Sequence, residues 1–354
     1  MDGSTFTVLV VVLGLLGAFL GHRFRLPAGP FLGAMVGVGI ALGLLGFPEV
    51  STPPLAGQAL QVMVGVIVGL RITGVSLRSG ARALLPATIL AVVFLSSGVL
   101  AALAAVSLTG MTPVTALFAA APGGLTEMAS VGASLGADGP AVAAVHLVRL
   151  LLVILVANVL LARMQSESPE MVAQNGAGQQ ASDSTYPRLE GLLKLGAVAA
   201  AGLVGGTAGL VATPLPAGGV VGALVGAGIV RVLTPGTVPE QGFSTVVQVL
   251  SGGIIGLGLS ASFFETLAQL AGAAALVNLV QMLVWVVAGY LLVRVFGFGS
   301  RTATFASAPG GMGSLLSITG ETDADLVTVA FTHLLRLSAT IVVVPLLVAV
   351  FFAG

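Results

Sequence analysis

The stretch "FAAAPGGLTEMASVGASLGADGPAVAAVHLVR" at 118–149 lies without a gap over "FASAPGGMGSLLSITGETDADLVTVAFTHLLR" at 305–336, so the chain repeats itself at a shift of 187 positions. Phe118, Pro122, Gly123, Gly124, Ser130, Asp138, His146 and Arg149 recur as Phe305, Pro309, Gly310, Gly311, Ser317, Asp325, His333 and Arg336. The same shift sets "QVMVGVIVGL" at 61–70 over "QVLSGGIIGL" at 248–257, and "LPAGPFLGA" at 26–34 is echoed by "LPAGGVVGA" at 215–223. Whatever fold one half adopts, the other is bound to adopt as well. Three units follow: a first repeat over 1–162, a polar linker over 163–188 rich in Gln, Ser, Asn, Gly and acids, and a second repeat over 189–354.

Each repeat reads as six apolar segments, which in the first fall at about 5–22, 27–46, 54–70, 83–109, 113–135 and 139–162. Only 7% of the residues are charged and 56% are hydrophobic, whereas a soluble domain carries about 25% charged residues. An all-α integral membrane protein is predicted, with the lipid bilayer as its surroundings. The formal net charge of zero leaves no basic surface for nucleic acid, which is not expected as a partner. The chain has no cysteine, which excludes disulfides, thiolate metal sites and iron–sulfur clusters. Its first apolar run precedes Arg23 and Arg25 instead of following basic residues, so it reads as a membrane helix and not as a signal peptide.

The fifth segment of each half carries Pro-Gly-Gly at its centre (Pro122, Gly123, Gly124 and Pro309, Gly310, Gly311), where a helix must break into two half-helices or a re-entrant hairpin. Arginine placement then decides the topology. Twelve full crossings would scatter the basic residues over both faces, against the positive-inside tendency. With each fifth segment entering and leaving on one side, every half crosses an odd number of times and the two copies insert upside down. Arg23, Arg25, Arg71, Arg78, Arg82, Arg163, Arg188, Lys194, Arg231, Arg294 and Arg301 then all face the cytoplasm, with Asp2, Glu49 and Glu265 outside. The expected architecture is two inverted-topology repeats, about 10 transmembrane helices and two broken or re-entrant segments. On this topology the linker is expected in the cytoplasm.

Only Arg149 and Arg336 escape that assignment. They sit about ten residues into helices beginning near Gly139 and its counterpart, roughly 15 Å deep. Spacing of three puts His146 with Arg149, and His333 with Arg336, on one helical face. A guanidinium at the bilayer centre costs at least about 2.5–3.5 kcal/mol and so faces a protein or water-filled interior with a partner. One acid is available in the first half, Glu127; its counterpart is Ser314, and the second half has no acid between Glu265 and Glu321. Two readings stand. In one, the half-helix N-termini and the arginines form a midplane site for a small anion, as in secondary transporters with inverted repeats. In the other, His and Arg cap backbone carbonyls or pair with Glu127 to lock the halves together, and Pro-Gly-Gly is a kink.

Asp138 and Asp325 lie at helix starts and read as caps. Gln61 and Gln248 read as hydrogen bonds between helices, and the many small residues as close-packing faces that would also serve a homodimer. Three histidines, each with an arginine close by, argue against a metal site, and the Walker pattern is absent; no enzyme and no bound cofactor are expected.

The paired "APGGLTEMASVGASLGAD…HLVR" and "APGGMGSLLSITGETDAD…HLLR" units resemble the bacterial membrane AbrB family, in which a hydrophobic region is duplicated. The resemblance covers the chain outside the linker and implies two descriptions that its relatives carry, regulator of gene expression and ammonia monooxygenase. From the residues, the leading expectation is a secondary transporter for a small organic anion of the carboxylate type. Its site comprises Pro122, Gly123, Gly124, Thr126, His146, Arg149, Pro309, Gly310, Gly311, Ser314, His333 and Arg336, with Glu127 in coupling to H+ or Na+. A membrane-embedded regulator that senses a ligand at the same site is the alternative, and an oxidase ranks last.

Overall fold

The computed structural model describes residues 3–24, 26, 28–44, 54–73, 83–165, 188–213, 217–236, 238–259, 263–310, 319, 322 and 324–352. The linker over 163–188 falls almost wholly outside them, as do Gly311 and Ser314. The described residues form thirteen helices. The first half holds α1 (Gly3–Arg23), α2 (Gly29–Leu44), α3 (Pro54–Leu70), α4 (Leu84–Thr109), α5 (Pro113–Ala120), α6 (Leu125–Ser134) and α7 (Gly139–Gln165). The second holds α8 (Arg188–Ala212), α9 (Gly218–Leu233), α10 (Glu240–Gly256), α11 (Phe263–Arg294), α12 (Ser300–Ser307) and α13 (Leu326–Phe352). The shift that aligns the sequences lays α12 on α5 and α13 on α7 residue for residue.

Five of these helices contain runs long and apolar enough to cross a membrane: Leu84–Thr109, Gly139–Ala157, Leu189–Ala212, Leu270–Arg294 and Leu326–Phe351. Shorter apolar runs lie in α1, α2, α3 and α9. Leu100, Leu103 and Leu108 on α4, and Val286, Val287 and Tyr290 on α11, stand exposed, which water would penalise and lipid tails do not. The chain is a multi-pass membrane protein.

Glycine sets the closest approaches. On the α1–α2 pair a Cβ at Gly33 would overlap the carbonyl of Gly17, and one at Gly29 that of Gly21; on α8–α9 the same holds for Gly222 with Gly205 and Gly218 with Gly209. Helices that meet backbone to backbone gain dispersion energy where lipid supplies no hydrophobic drive. These small-residue faces pack against one another within the chain.

The halves interleave. Helix α3 packs on α9, with Gly65 against Ala223 and Gly69 against Ala227, while α10 packs reciprocally on α2, with Gly252 against Phe31 and Ala34 and Gly256 against Met35 and Val38. Each half thus lends its third helix to the second helix of the other. Helices α4 and α11 also pack on each other, α13 lies on α4, and α7 on α11. At the turn between α6 and α7, Gly57 near the start of α3 lies against Ser134, whereas Ile255 near the end of α10 lies against Gly139.

Candidate functional site at the broken helices

Helix α5 opens on a cap: the Thr112 hydroxyl accepts from the Thr115 N–H at 3.4 Å, and Pro113, which lacks a donor, takes the first helical position. It stops after two turns because Ala121 is extended (φ −57°, ψ 142°) and Pro122 follows. Helix α6 restarts at Leu125 from an extended Gly124. In the second half α12 ends the same way, with Ala308 extended (φ −60°, ψ 131°) before the buried Pro309. The expected break is present in both halves.

A helix that stops inside the membrane leaves carbonyls without partners, each expensive away from water. At the first break, four consecutive carbonyls are all met by side chains. Arg149 Nη2 donates to Ala119 O at 2.9 Å and Nη1 to Ala121 O at 2.6 Å. Gln281 Nε2 donates to Ala120 O at 3.1 Å, and the Thr340 hydroxyl to Pro122 O at 3.0 Å. Arg149 Nε donates to Asn278 Oδ1 at 3.3 Å, and Asn278 Nδ2 to Val145 O at 3.3 Å. Arg149 is 1% exposed, so every one of these bonds is dry. Its guanidinium therefore caps the C-terminal, partially negative end of α5, and the carbonyl-capping reading describes its position. It does not stand over the N-terminus of α6.

The imidazoles tie the cations in place. His146 Nδ1 reaches Val142 O at 3.1 Å and Nε2 faces Arg149 Nη1 at 3.4 Å. His333 Nε2 reaches Phe305 O at 2.8 Å and Nδ1 faces Arg336 Nη2 at 3.0 Å. A ring nitrogen opposite a guanidinium N–H has to accept, so each imidazole is neutral and donates to its carbonyl from the other nitrogen. Both histidines orient arginines; protonation would set two donors face to face.

The N-terminus of α6 is covered from within. Glu127, in its first turn, folds back so that a Cβ on Gly124 would overlap its Oε2, and its Oε1 accepts from Arg71 Nη1 at 3.0 Å. Of the two partners open to the buried arginines, backbone carbonyls and Glu127, the carboxylate is taken by Arg71 at the end of α3. Thr126 is half-buried in the same turn, Pro122 and Gly124 are buried, and Gly123 and Gly310 are half-buried.

At the second break Arg336 Nη2 donates to Ala308 O at 2.7 Å and the guanidinium carbon lies 4.8 Å from the centre of the Phe94 ring, a cation–π contact. Its Nη1 is buried and has no hydrogen-bond partner among the described residues. The ion pairs among the described residues are Arg71–Glu127 and Glu190–Lys194, and neither involves Arg149 or Arg336. The described residues also hold no group of three or more His, Asp or Glu side chains that would ligate a metal.

Asp138 and Asp325 cap α7 and α13. Asp138 Oδ1 accepts from Ala141 N–H at 2.9 Å, and Asp325 Oδ1 from Thr328 N–H at 3.1 Å. Thr115 and Thr302, equivalent positions, each accept from the N–H of the aspartate, at 3.0 and 2.9 Å, and pin the half-helices to the helices that carry the arginines. Sequence reasoning passed over Asn278, Gln281 and Thr340. The available signal was their asymmetry, since at the 187 shift their counterparts are Ala91, Phe94 and Val153.

No solved structure matches the chain. A Bacillus subtilis (strain 168) protein titled Uncharacterized protein YhjN is 29% identical over 154 residues, which is 41% of this chain and 40% of that relative. The profile of a family described as Transition state regulatory protein AbrB matches twice, over residues 1–165 and 168–352. Those two matches coincide with the two halves that the repeat, the paired breaks and the reciprocal packing define, and the chain belongs to the membrane AbrB family, with its unit present in duplicate.

Proposed function

We propose that the protein is a secondary transporter for a small organic anion of the carboxylate type, working in the bacterial inner membrane with its linker in the cytoplasm. The observation that carries this reading is the pair of buried guanidinium groups, neither with an acidic partner among the described residues. Their two positive charges meet two half-helix C-termini worth about −0.5 each, which leaves about one positive charge for a ligand to neutralise. A monoanion satisfies that balance and a cation worsens it.

Inverted insertion of the halves is part of the proposal. Helix α3 begins beside Ser134 and its equivalent, α10, ends beside Gly139, at the same turn, which supports equivalent helices running in opposite directions. Arg231 Nε donates to Leu70 O at 3.2 Å and Lys194 Nζ to Pro235 O at 3.0 Å. This clusters Arg71, Lys194 and Arg231 at one end of the bundle, as a cytoplasmic face requires. Opposed halves around a fixed site suit alternating access. The coupling ion is H+ or Na+, and Glu127, held by Arg71, is the carboxylate assigned to coupling. No catalytic step is assigned.

The family description favours a second reading, a membrane-embedded sensor using the same site. Counterflow in liposomes separates the two. Purified protein reconstituted with unlabelled carboxylate inside should accumulate labelled carboxylate from outside; saturable binding without accumulation supports the sensor, and neither binding nor accumulation removes the anion site.

A further inference from the structure

The two breaks share a backbone but differ in what closes them. At the first, Asn278, Gln281 and Thr340 supply polar atoms that meet Arg149, Ala120 O and Pro122 O. At the second the equivalent positions are Ala91, Phe94 and Val153, none of which has a side-chain polar atom. Arg149 is consumed: Nε, Nη1 and Nη2 all donate to protein acceptors. Among the described residues Arg336 is held on one side only, by Ala308 O and His333 Nδ1 through Nη2. Phe94 lies under its face, and Nη1 is buried with no partner among the described residues. Arg336 is 3% exposed, and a buried donor left unmet costs far more than one turned to water. Such a donor persists where a ligand completes it.

We infer that the anion site is asymmetric: Arg336, steered by His333 and shelved on Phe94, is the guanidinium that contacts the ligand, while Arg149 is a strut that closes the first break. The inference rests on the anion reading above and sharpens it. The ligand presents one carboxylate oxygen to Nη1. Phe94 closes one face of Arg336 without offering an acceptor, and Ala91, at the position equivalent to the acceptor Asn278, offers none either. Replacing Phe94 by glutamine, the residue at the equivalent position 281, would remove the ring that shelves Arg336 and leave an amide in its place.

The test uses the full chain in nanodiscs and saturation binding of 14C-labelled monocarboxylates from formate to benzoate, with thermal midpoints recorded alongside. Phe94→Gln and Arg336→Gln should each lower affinity by about tenfold or more, the scale of one charge-assisted hydrogen bond. Thr340→Val should lower the midpoint and leave affinity within about twofold, because the bond it removes lies in the strut. If the wild type binds and both Phe94→Gln and Arg336→Gln bind equally well, the asymmetric site is overturned while the anion reading stands. A folded Phe94→Gln protein with unchanged affinity overturns it alone, even where Arg336→Gln fails to fold. A wild type that binds none of the series overturns both.

Discussion

Exchanging Arg149 and Arg336 separately for methionine, which keeps an unbranched apolar stem and removes every donor, should destabilise the protein unequally. Loss of Arg149 strands Ala119 O, Ala121 O and Asn278 Oδ1, besides releasing His146; loss of Arg336 strands Ala308 O and releases His333. The cost of holding a guanidinium in the membrane is relieved in both variants and cancels in the comparison. Two extra orphaned acceptors remain on the Arg149 side, at about 1–3 kcal/mol each. Removing Arg336 also forfeits its cation–π attraction to the Phe94 ring, which offsets about 1 kcal/mol, so the difference is about 1–5 kcal/mol against Arg149→Met. At roughly 2 °C per kcal/mol this is a gap of about 2–10 °C in midpoint. Heating aliquots in detergent and following the monodisperse fraction by size exclusion measures it. Equal midpoints, or a lower one for Arg336→Met, would refute the assignment of Arg149 as the strut.

Three further outcomes follow from the packing and the topology. Gly33→Ala drives a Cβ into the carbonyl of Gly17 and should cost about 1–3 kcal/mol. Gly196→Ala, which meets nothing within 4 Å, should be stabilising by about 0.5–1 kcal/mol, and the same thermal assay reports both. Because the chain has no cysteine, Phe24→Cys and Thr213→Cys report the ends of α1 and α8 directly, and an impermeant maleimide should label them from opposite sides of the membrane; labelling from one side contradicts inverted insertion. A double-mutant cycle on Arg71→Gln and Glu127→Gln should return a coupling of about 1 kcal/mol, as fits a pair with side chains 22% and 11% exposed, and a value near zero would remove Arg71 as the partner of Glu127.

The elements of the fold were largely legible, and the partners within the site were not. Pro122 and Gly123 break a helix by local chemistry, so the division into α5 and α6 could be read from the residues alone. The repeat then transferred the break to Pro309 and Gly310. Burial of Arg149 and Arg336 followed from their position within long apolar runs. The partners did not follow, because Asn278 and Gln281 come from the other half of the chain, and nothing local brings α11 against the end of α5. Glu127 was matched to the buried arginines by elimination among acids; the chain instead folds it back over Gly124 towards Arg71, a residue assigned to the aqueous face. A comparison of the repeats for their differences, and not only for their identities, would have exposed Asn278, Gln281 and Thr340 against Ala91, Phe94 and Val153.

The sign of the solute charge tests the central claim most directly. Proteoliposomes of the same preparation, loaded in turn with unlabelled monocarboxylate and with unlabelled methylammonium, are presented with the corresponding 14C-labelled solute, and exchange is compared with protein-free vesicles. An interior that keeps one uncompensated positive charge predicts saturable exchange of the carboxylate and none of methylammonium. Saturable methylammonium exchange with no carboxylate exchange would contradict it.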